Sequence, residues 1–276
     1  MEIASFMSNI MYYEDVKVIK KPLKQRVKSF FKIFLVIATI VGCFFGATYL
    51  SSALTVGNLT SYIVYGGTSV KTKKKTMYAV TLGSYDDYTE AEKVALGSTI
   101  QGASGFMWEQ DNKYYVIGNI YSSNSDAEKV IENISGTNYK AEVLKIEFAS
   151  LNLNFDMYDN SNMPVVSKAF EIFGDVEEEL YTYSIKFDSG DISHLAVSSN
   201  ISTLRGEVKA IIVGVQNLIN ASESKLGVVQ EYLIKVDEVL EQAILKTIDN
   251  TATSYSLKNA IASVVRLEYN LVNTLK

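Results

Sequence analysis

The sequence predicts an α+β chain: a membrane-spanning helix, a βαββαβ domain, and an all-α bundle at the C-terminal end. Three observations predict it. An uncharged stretch runs from Ile33 to Val70, apolar at its start. Two copies of one strand-turn-helix unit lie between Tyr78 and Val130, offset by 36 residues. From Val165 onward the apolar residues recur at helical spacing.

The first 32 residues are basic, with Lys17, Lys20, Lys21, Lys24, Arg26, Lys28 and Lys32 against Glu2, Glu14 and Asp15. Residues 33–54 are apolar and uncharged. As a helix they would span about 33 Å, enough for a bilayer core. The run is longer than a signal-peptide core, so an uncleaved anchor is expected. The nearest downstream cation is Lys71, so the charge bias puts the N-terminus in the cytoplasm and the bulk of the chain outside a cell membrane. Gly42 and Gly46 have the spacing that packs two such helices, although small residues are common in membrane helices generally. Residues 55–76, with Gly66-Gly67 and the cluster Lys71, Lys73, Lys74 and Lys75, read as a solvated extracytoplasmic linker.

Residues 77–149 hold the duplication. Tyr78–Val94 aligns without gaps on Tyr114–Val130, with seven of 17 positions identical, including Ala-Glu-Lys-Val in both. Tyr78-Ala-Val-Thr-Leu82 alternates as a strand does, Gly83-Ser-Tyr-Asp-Asp87 is a turn, and Thr89 is the expected N-cap of a helix led by acids. The second copy repeats this, with Ser125 in the capping place. Between the copies, Ser104–Trp108 leads into the hairpin turn Glu109-Gln-Asp-Asn112. Ala141–Ile146 supplies a last strand. The order is the split βαβ of ferredoxin-like domains. Tyr78, Val80, Tyr114 and Val116 belong on the helix-covered face; alternation leaves Thr81, Tyr115 and Ile117 on a second, open face.

The motif Val80-Thr-Leu-Gly-Ser-Tyr85 with Ala91-Glu-Lys93, and Tyr114-Tyr-Val116 through Tyr121 with Ala127-Glu-Lys129, resembles the SPOR domain. That family is a bacterial module that binds peptidoglycan, preferring glycan strands stripped of their peptides. The resemblance covers residues 77–148. It implies a glycan-binding surface at Thr81, Tyr85, Trp108, Tyr115 and Ile117, where aromatic rings would meet the C–H faces of sugars. Thr81 stands where the family usually has Gln, Tyr115 where it commonly has Arg, and Asn119 where it has a second Gly, Asn being the next best residue for a left-handed turn.

Residues 150–276 begin with a polar, Asn-rich stretch ending at Pro164, a helix-starting signal. Apolar stripes then predict helices over Val165–Phe187, Ser193–Asn220, Ser224–Ile248 and Tyr255–Leu275. Glu177-Glu-Glu179 reads as a solvated acidic face. The stripes fit a bundle within one chain, and equally a coiled coil between chains.

The one cysteine, Cys43, lies in the apolar run, so no disulfide and no thiol chemistry is available outside it. With one histidine, His194, no two-histidine metal motif can form. Asp191, Ser193 and His194 are too close in sequence at a helix start to converge as a triad. No cofactor is expected. Residues 77–149 carry five Lys/Arg and eleven Asp/Glu, residues 150–276 ten and seventeen; such acidic balance disfavours nucleic acid. Two non-enzymatic functions follow. One is a membrane-anchored binder of peptidoglycan glycan in cell division or sporulation. The other is a membrane-anchored protein-interaction scaffold, open to self-association or division and sporulation partners, whose SPOR-like unit and bundle bind proteins and not glycan.

Overall fold

The computed structural model describes residues 63–276, except 67, 135–138, 157, 160, 220–223 and 248. The basic tail, the apolar run with Gly42 and Gly46, and residues 55–62 of the linker lie outside the described residues. No helix among the described residues is long and apolar enough to cross a membrane.

The chain is α+β, with six helices and two small antiparallel sheets among the described residues. The order is β1 (Ile63–Gly66), β2 (Ser69–Thr72), β3 (Lys75–Tyr85), α1 (Tyr88–Thr99), β4 (Phe106–Gln110), β5 (Lys113–Tyr121), α2 (Asn124–Ile134), β6 (Glu142–Phe148), β7 (Asn152–Asn154), α3 (Met163–Asp188), α4 (His194–Gln216), α5 (Ser224–Lys246) and α6 (Asn250–Leu275). The larger sheet has the strand order β4-β5-β3-β6, antiparallel throughout. Residues 63–72 are not the expected linker. Within them β1 pairs antiparallel with β2, and β2 pairs with β7 of the Asn-rich stretch, so segments read as two connectors close a second sheet on each other.

Local chemistry explains the element ends. Asp87, not Thr89, caps α1, its carboxylate accepting from the Glu90 N–H at 2.9 Å. Asp precedes the helix with extended backbone, which frees its side chain to reach forward. α2 begins at Asn124, one residue before Ser125. The β4–β5 turn is Asp111-Asn112, both at positive φ (52° and 58°), the geometry of a two-residue hairpin whose twist matches its strands. Pro164 falls in the first turn of α3, as expected. Asn119 is not left-handed: it sits in β5 opposite Val80, donating to the Tyr121 hydroxyl and accepting from the Ile120 N–H. One of the two β3–β5 register shifts falls at Gly118 instead, which the pairing skips; the other lies between Thr81 and Ser84.

Two apolar cores sandwich the larger sheet. On one face Val80, Leu82, Val116 and Tyr121 meet Ala91 and Ala95 of α1 and Ala127, Val130 and Ile134 of α2, with Tyr78 and Tyr114 packed against them, as the duplication predicts. On the other face Met77, Ala79, Trp108, Ile117, Ile120, Ile146 and Phe148 join the buried stripes of α3 to α6 in one continuous cluster. Residues 77–149 and 150–276 therefore do not keep separate cores. At roughly 25 cal/mol per Å², covering such a face is a driving force that no exposed arrangement supplies. The helical stripes close within the chain as a bundle, α3 packing on α4 and α6, and α5 on α4 and α6.

Candidate functional site

The five residues of the implied glycan-binding surface do not share an open sheet face. Thr81, Trp108 and Ile117 are fully buried. Thr81 donates its hydroxyl to the Glu142 carbonyl of β6 at 3.2 Å. Trp108 packs edge-on against Tyr269 of α6, centroids 5.5 Å apart, and the Arg266 guanidinium lies 4.5 Å above its ring. Tyr115 and Tyr85 are half-buried, and they lie on opposite faces: Tyr115 against the bundle-side core, Tyr85 against the α1–α2 side. Trp108 lies opposite Tyr115 and Thr81 opposite Ile117 in register, but Thr81, Trp108 and Ile117 are closed to solvent and Tyr115 keeps only partial exposure.

Polar clusters at the sheet–bundle junction escaped the sequence reading. Lys75, read as part of a solvated cluster, is the first residue of β3 and is buried between Glu177 of α3 and Glu268 of α6, at 2.6 and 2.5 Å. Glu177 thus leaves the acidic face it was placed on; Glu178 and Glu179 stay partly or fully exposed. Burial would depress the Lys75 ammonium, but the two carboxylates outweigh it and hold it above its ordinary value. Burial pushes Glu177 up to about 8, against the pull of Lys75 and with the push of Glu268. One cation between two carboxylates leaves one negative charge over, so the cluster keeps a proton at neutral pH. The Oε1 of Glu177 is buried without a partner, which a carboxyl proton shared with Glu268 would satisfy. A heptad-like stripe carries a weak trace of this: Glu268 interrupts the apolar spacing Val264, Val265, Leu271 with a charge.

A second cluster floors a cleft of about 600 Å³ where the α1–β4 loop meets the end of α3 and the starts of α4 and α6. Lys258 is fully buried on α6, 3.1 Å from Asp188 Oδ2, and donates to the Gly102 carbonyl and the Ser254 hydroxyl, both at 3.0 Å. Ser254 donates to Asp188 Oδ1 at 2.9 Å. Burial raises the Asp188 carboxyl, while Lys258 and Ser254 oppose the rise. A serine 3.0 Å from a lysine invites a nucleophile–base reading. The pair is occupied otherwise: the serine proton goes to Asp188, and the ammonium is tied to a carboxylate and a loop carbonyl. The arrangement clamps the α1–β4 loop onto α6.

His194 stands at the rim of this cleft with Asp191 and Ser193. Ser193 caps α4, accepting from the Ala196 N–H at 3.2 Å, and Asp191 accepts from the Ser189 hydroxyl at 2.7 Å. Their hydrogen bonds are committed away from the imidazole. No group of three or more His, Cys, Asp or Glu that could hold a metal ion occurs among the described residues. No family model matches the chain, and no curated protein or solved structure resembles it significantly.

Proposed function

We propose that this chain is a non-catalytic, membrane-anchored protein-interaction scaffold in which a SPOR-like βαββαβ unit forms the base of a helical bundle. The observation that carries the proposal is the covering of the sheet's second face: α6 lies across it through Tyr269 on Trp108 and Phe148. A face that must admit a glycan strand cannot also be the core of a bundle. The strand order β4-β5-β3-β6 is the order a split βαβ unit adopts, which supports the SPOR-like resemblance of residues 77–148. The anchor rests on residues 33–54 and the charge bias around them.

Glycan binding in division or sporulation is the second reading. It is favoured by Tyr85 and Tyr115, aromatic residues that are only half-buried.

The test is co-sedimentation of the full chain, in neutral detergent, with peptidoglycan sacculi before and after an amidase strips the stem peptides. Alongside it, cross-linking in cells maps partner contacts on this chain. The scaffold reading expects no retention on either sacculus and reproducible cross-links to protein on the bundle. Retention that rises after stripping, and falls again with Tyr115→Ala, overturns it in favour of glycan.

A further inference from the structure

Between α5, α6 and the edge strand β4 runs a groove of about 460 Å³. Its floor is apolar, formed in part by Phe106, Val239, Ala260 and Leu267. Three cations line it, Lys235, Lys246 and Arg266, against one carboxylate, Glu238. The surrounding region is acidic overall, ten Lys/Arg to seventeen Asp/Glu over residues 150–276, so this cationic strip is a local reversal.

Arg266 is the informative residue. Its guanidinium lies 4.5 Å over the Trp108 ring and 5.8 Å from that of Tyr269, half-buried, and makes no hydrogen bond or ion pair among the described residues. Stacking engages the face of a guanidinium and leaves its in-plane N–H donors unspent. Burial weakens its hold on its proton, opposed by the fields of Tyr269 and Glu109. Glu109 reaches it as a field and not as an ion pair, so a ligand carboxylate at its in-plane N–H groups would add charge-assisted hydrogen bonds to a partly desolvated cation. Lys246, exposed, also makes no ion pair among the described residues, while Lys235 is shared with Glu231 at 2.7 Å.

The spacing decides what kind of anion fits. Lys235 and Lys246 are eleven residues apart on α5, which places them on the same helix face about 16 Å apart. A single phosphate or small carboxylate cannot reach both. A linear ligand with repeated negative charge can, and the apolar floor asks it to bring apolar groups as well, which a bare phosphate polymer lacks. We propose that this groove takes an acidic, apolar-containing peptide segment of a partner protein, with Arg266 holding one of its carboxylates. The assignment rests on the scaffold reading above and names the chemistry of its partner.

Trp108, the one tryptophan, lies under Arg266 and reports directly on occupancy. The experiment titrates the full chain in neutral detergent with the peptide Glu-Leu-Glu-Glu-Leu-Glu while following Trp108 emission. A Lys-for-Glu version of the peptide and an inorganic polyphosphate of similar length serve as comparisons. The expected result is a saturable change with the acidic peptide alone, weakened about tenfold or more by Arg266→Gln, with Arg266→Lys between the two. Because Arg266→Gln also alters the surroundings of Trp108, Lys246→Gln is the deciding variant: its side chain is exposed, and it should weaken binding several-fold without changing the free emission. No response at millimolar peptide, a response indifferent to both substitutions, or tighter binding of polyphosphate overturns the assignment. Protein cross-links that map to the bundle but away from this groove overturn it too, and leave the scaffold reading standing.

Discussion

Lys75 Nζ lies 2.6 Å from Glu177 Oε2, joining the first residue of the central strand β3 to the middle of α3 across 102 positions of sequence. With Glu268 on α6 as the third member, the cluster ties the sheet to two helices of the bundle inside a region closed to water. Its energetics follow from counting charges: the cation is needed by two carboxylates, and one carboxylate is in surplus.

The surplus gives the fold a dependence on pH. Glu177 is raised in the folded chain to about 8 from an ordinary carboxyl value near 4.5. Between those limits the folded state holds a proton that the unfolded state has released. Stability is therefore full below about 4.5 and falls as pH rises toward 8, at up to ~1.4 kcal/mol per pH unit for one such group. Glu177→Gln, neutral and close in shape, should flatten that part of the profile. Urea unfolding at pH 5, 6.5 and 8 checks it; equal slopes in the two proteins would contradict the protonated cluster.

Removing the cation should be costly. Lys75→Ala leaves the buried Glu177–Glu268 pair without its cation and is expected to destabilise by about 3–5 kcal/mol. Adding Glu177→Gln should recover part of that loss above pH 8, where Glu177 would otherwise have to carry a second negative charge beside Glu268. Additive losses in the double variant, read from denaturation midpoints, would show that the three groups do not act as a unit.

Lys258 makes the parallel case at the other junction. Lys258→Met strands Asp188, whose side chain is 1% exposed, and removes the donor from the Gly102 carbonyl. The expected loss is about 3–5 kcal/mol. Hydrogen exchange should show it first in the α1–β4 loop. Unchanged protection of residues 100–105 would mean that the loop is not held by this clamp.

Trp108 tests whether sheet and bundle fold as one. Trp108→Ala opens a cavity in the core shared by β4 and α6, at a cost of about 3–5 kcal/mol. Strand and helix signals should then be lost together in one transition at lower denaturant. Separate transitions would indicate that residues 77–149 and 150–276 keep independent stability.

The β4–β5 turn carries a smaller prediction. Asn112 has φ 58°, a region that a β-branched side chain resists. Asn112→Val should cost about 1–2 kcal/mol, while Asn112→Gly should be neutral or slightly stabilising. Thermal midpoints in the opposite order would contradict a turn with both residues left-handed.

Much of the fold was legible in the sequence because its signals are local. The duplicated strand-helix unit announced β3, α1, β5 and α2, and the matching Tyr78, Val80, Tyr114 and Val116 announced which sheet face those helices cover. Asp111-Asn112 marked a hairpin through its own backbone preference. Four apolar stripes of period 3.6 marked four helices, whose ends shifted by a few residues when capping groups and the first turns were seen. The candidate site was less legible. Alternation put Thr81, Tyr115 and Ile117 on the face that α1 and α2 leave free, where Tyr115 and Ile117 do pack, yet that face also carries Ala79, Ile120, Ile146 and Phe148, too apolar to meet water. Alternation says which residues share a face; it does not say what covers the face.

The sequence by itself determined the strands β3 to β6, the six helices, their order, and the need of each apolar stripe for a partner, because propensity, turn chemistry and periodicity act between neighbours. Tertiary structure alone decided which stripe covers which face, that β2 pairs with both β1 and β7, and that Lys75, Glu177 and Glu268 share one buried cluster. Those outcomes depend on contacts between groups up to 193 positions apart, where desolvation and charge pairing are set by which surfaces meet and not by any residue's neighbours in the chain.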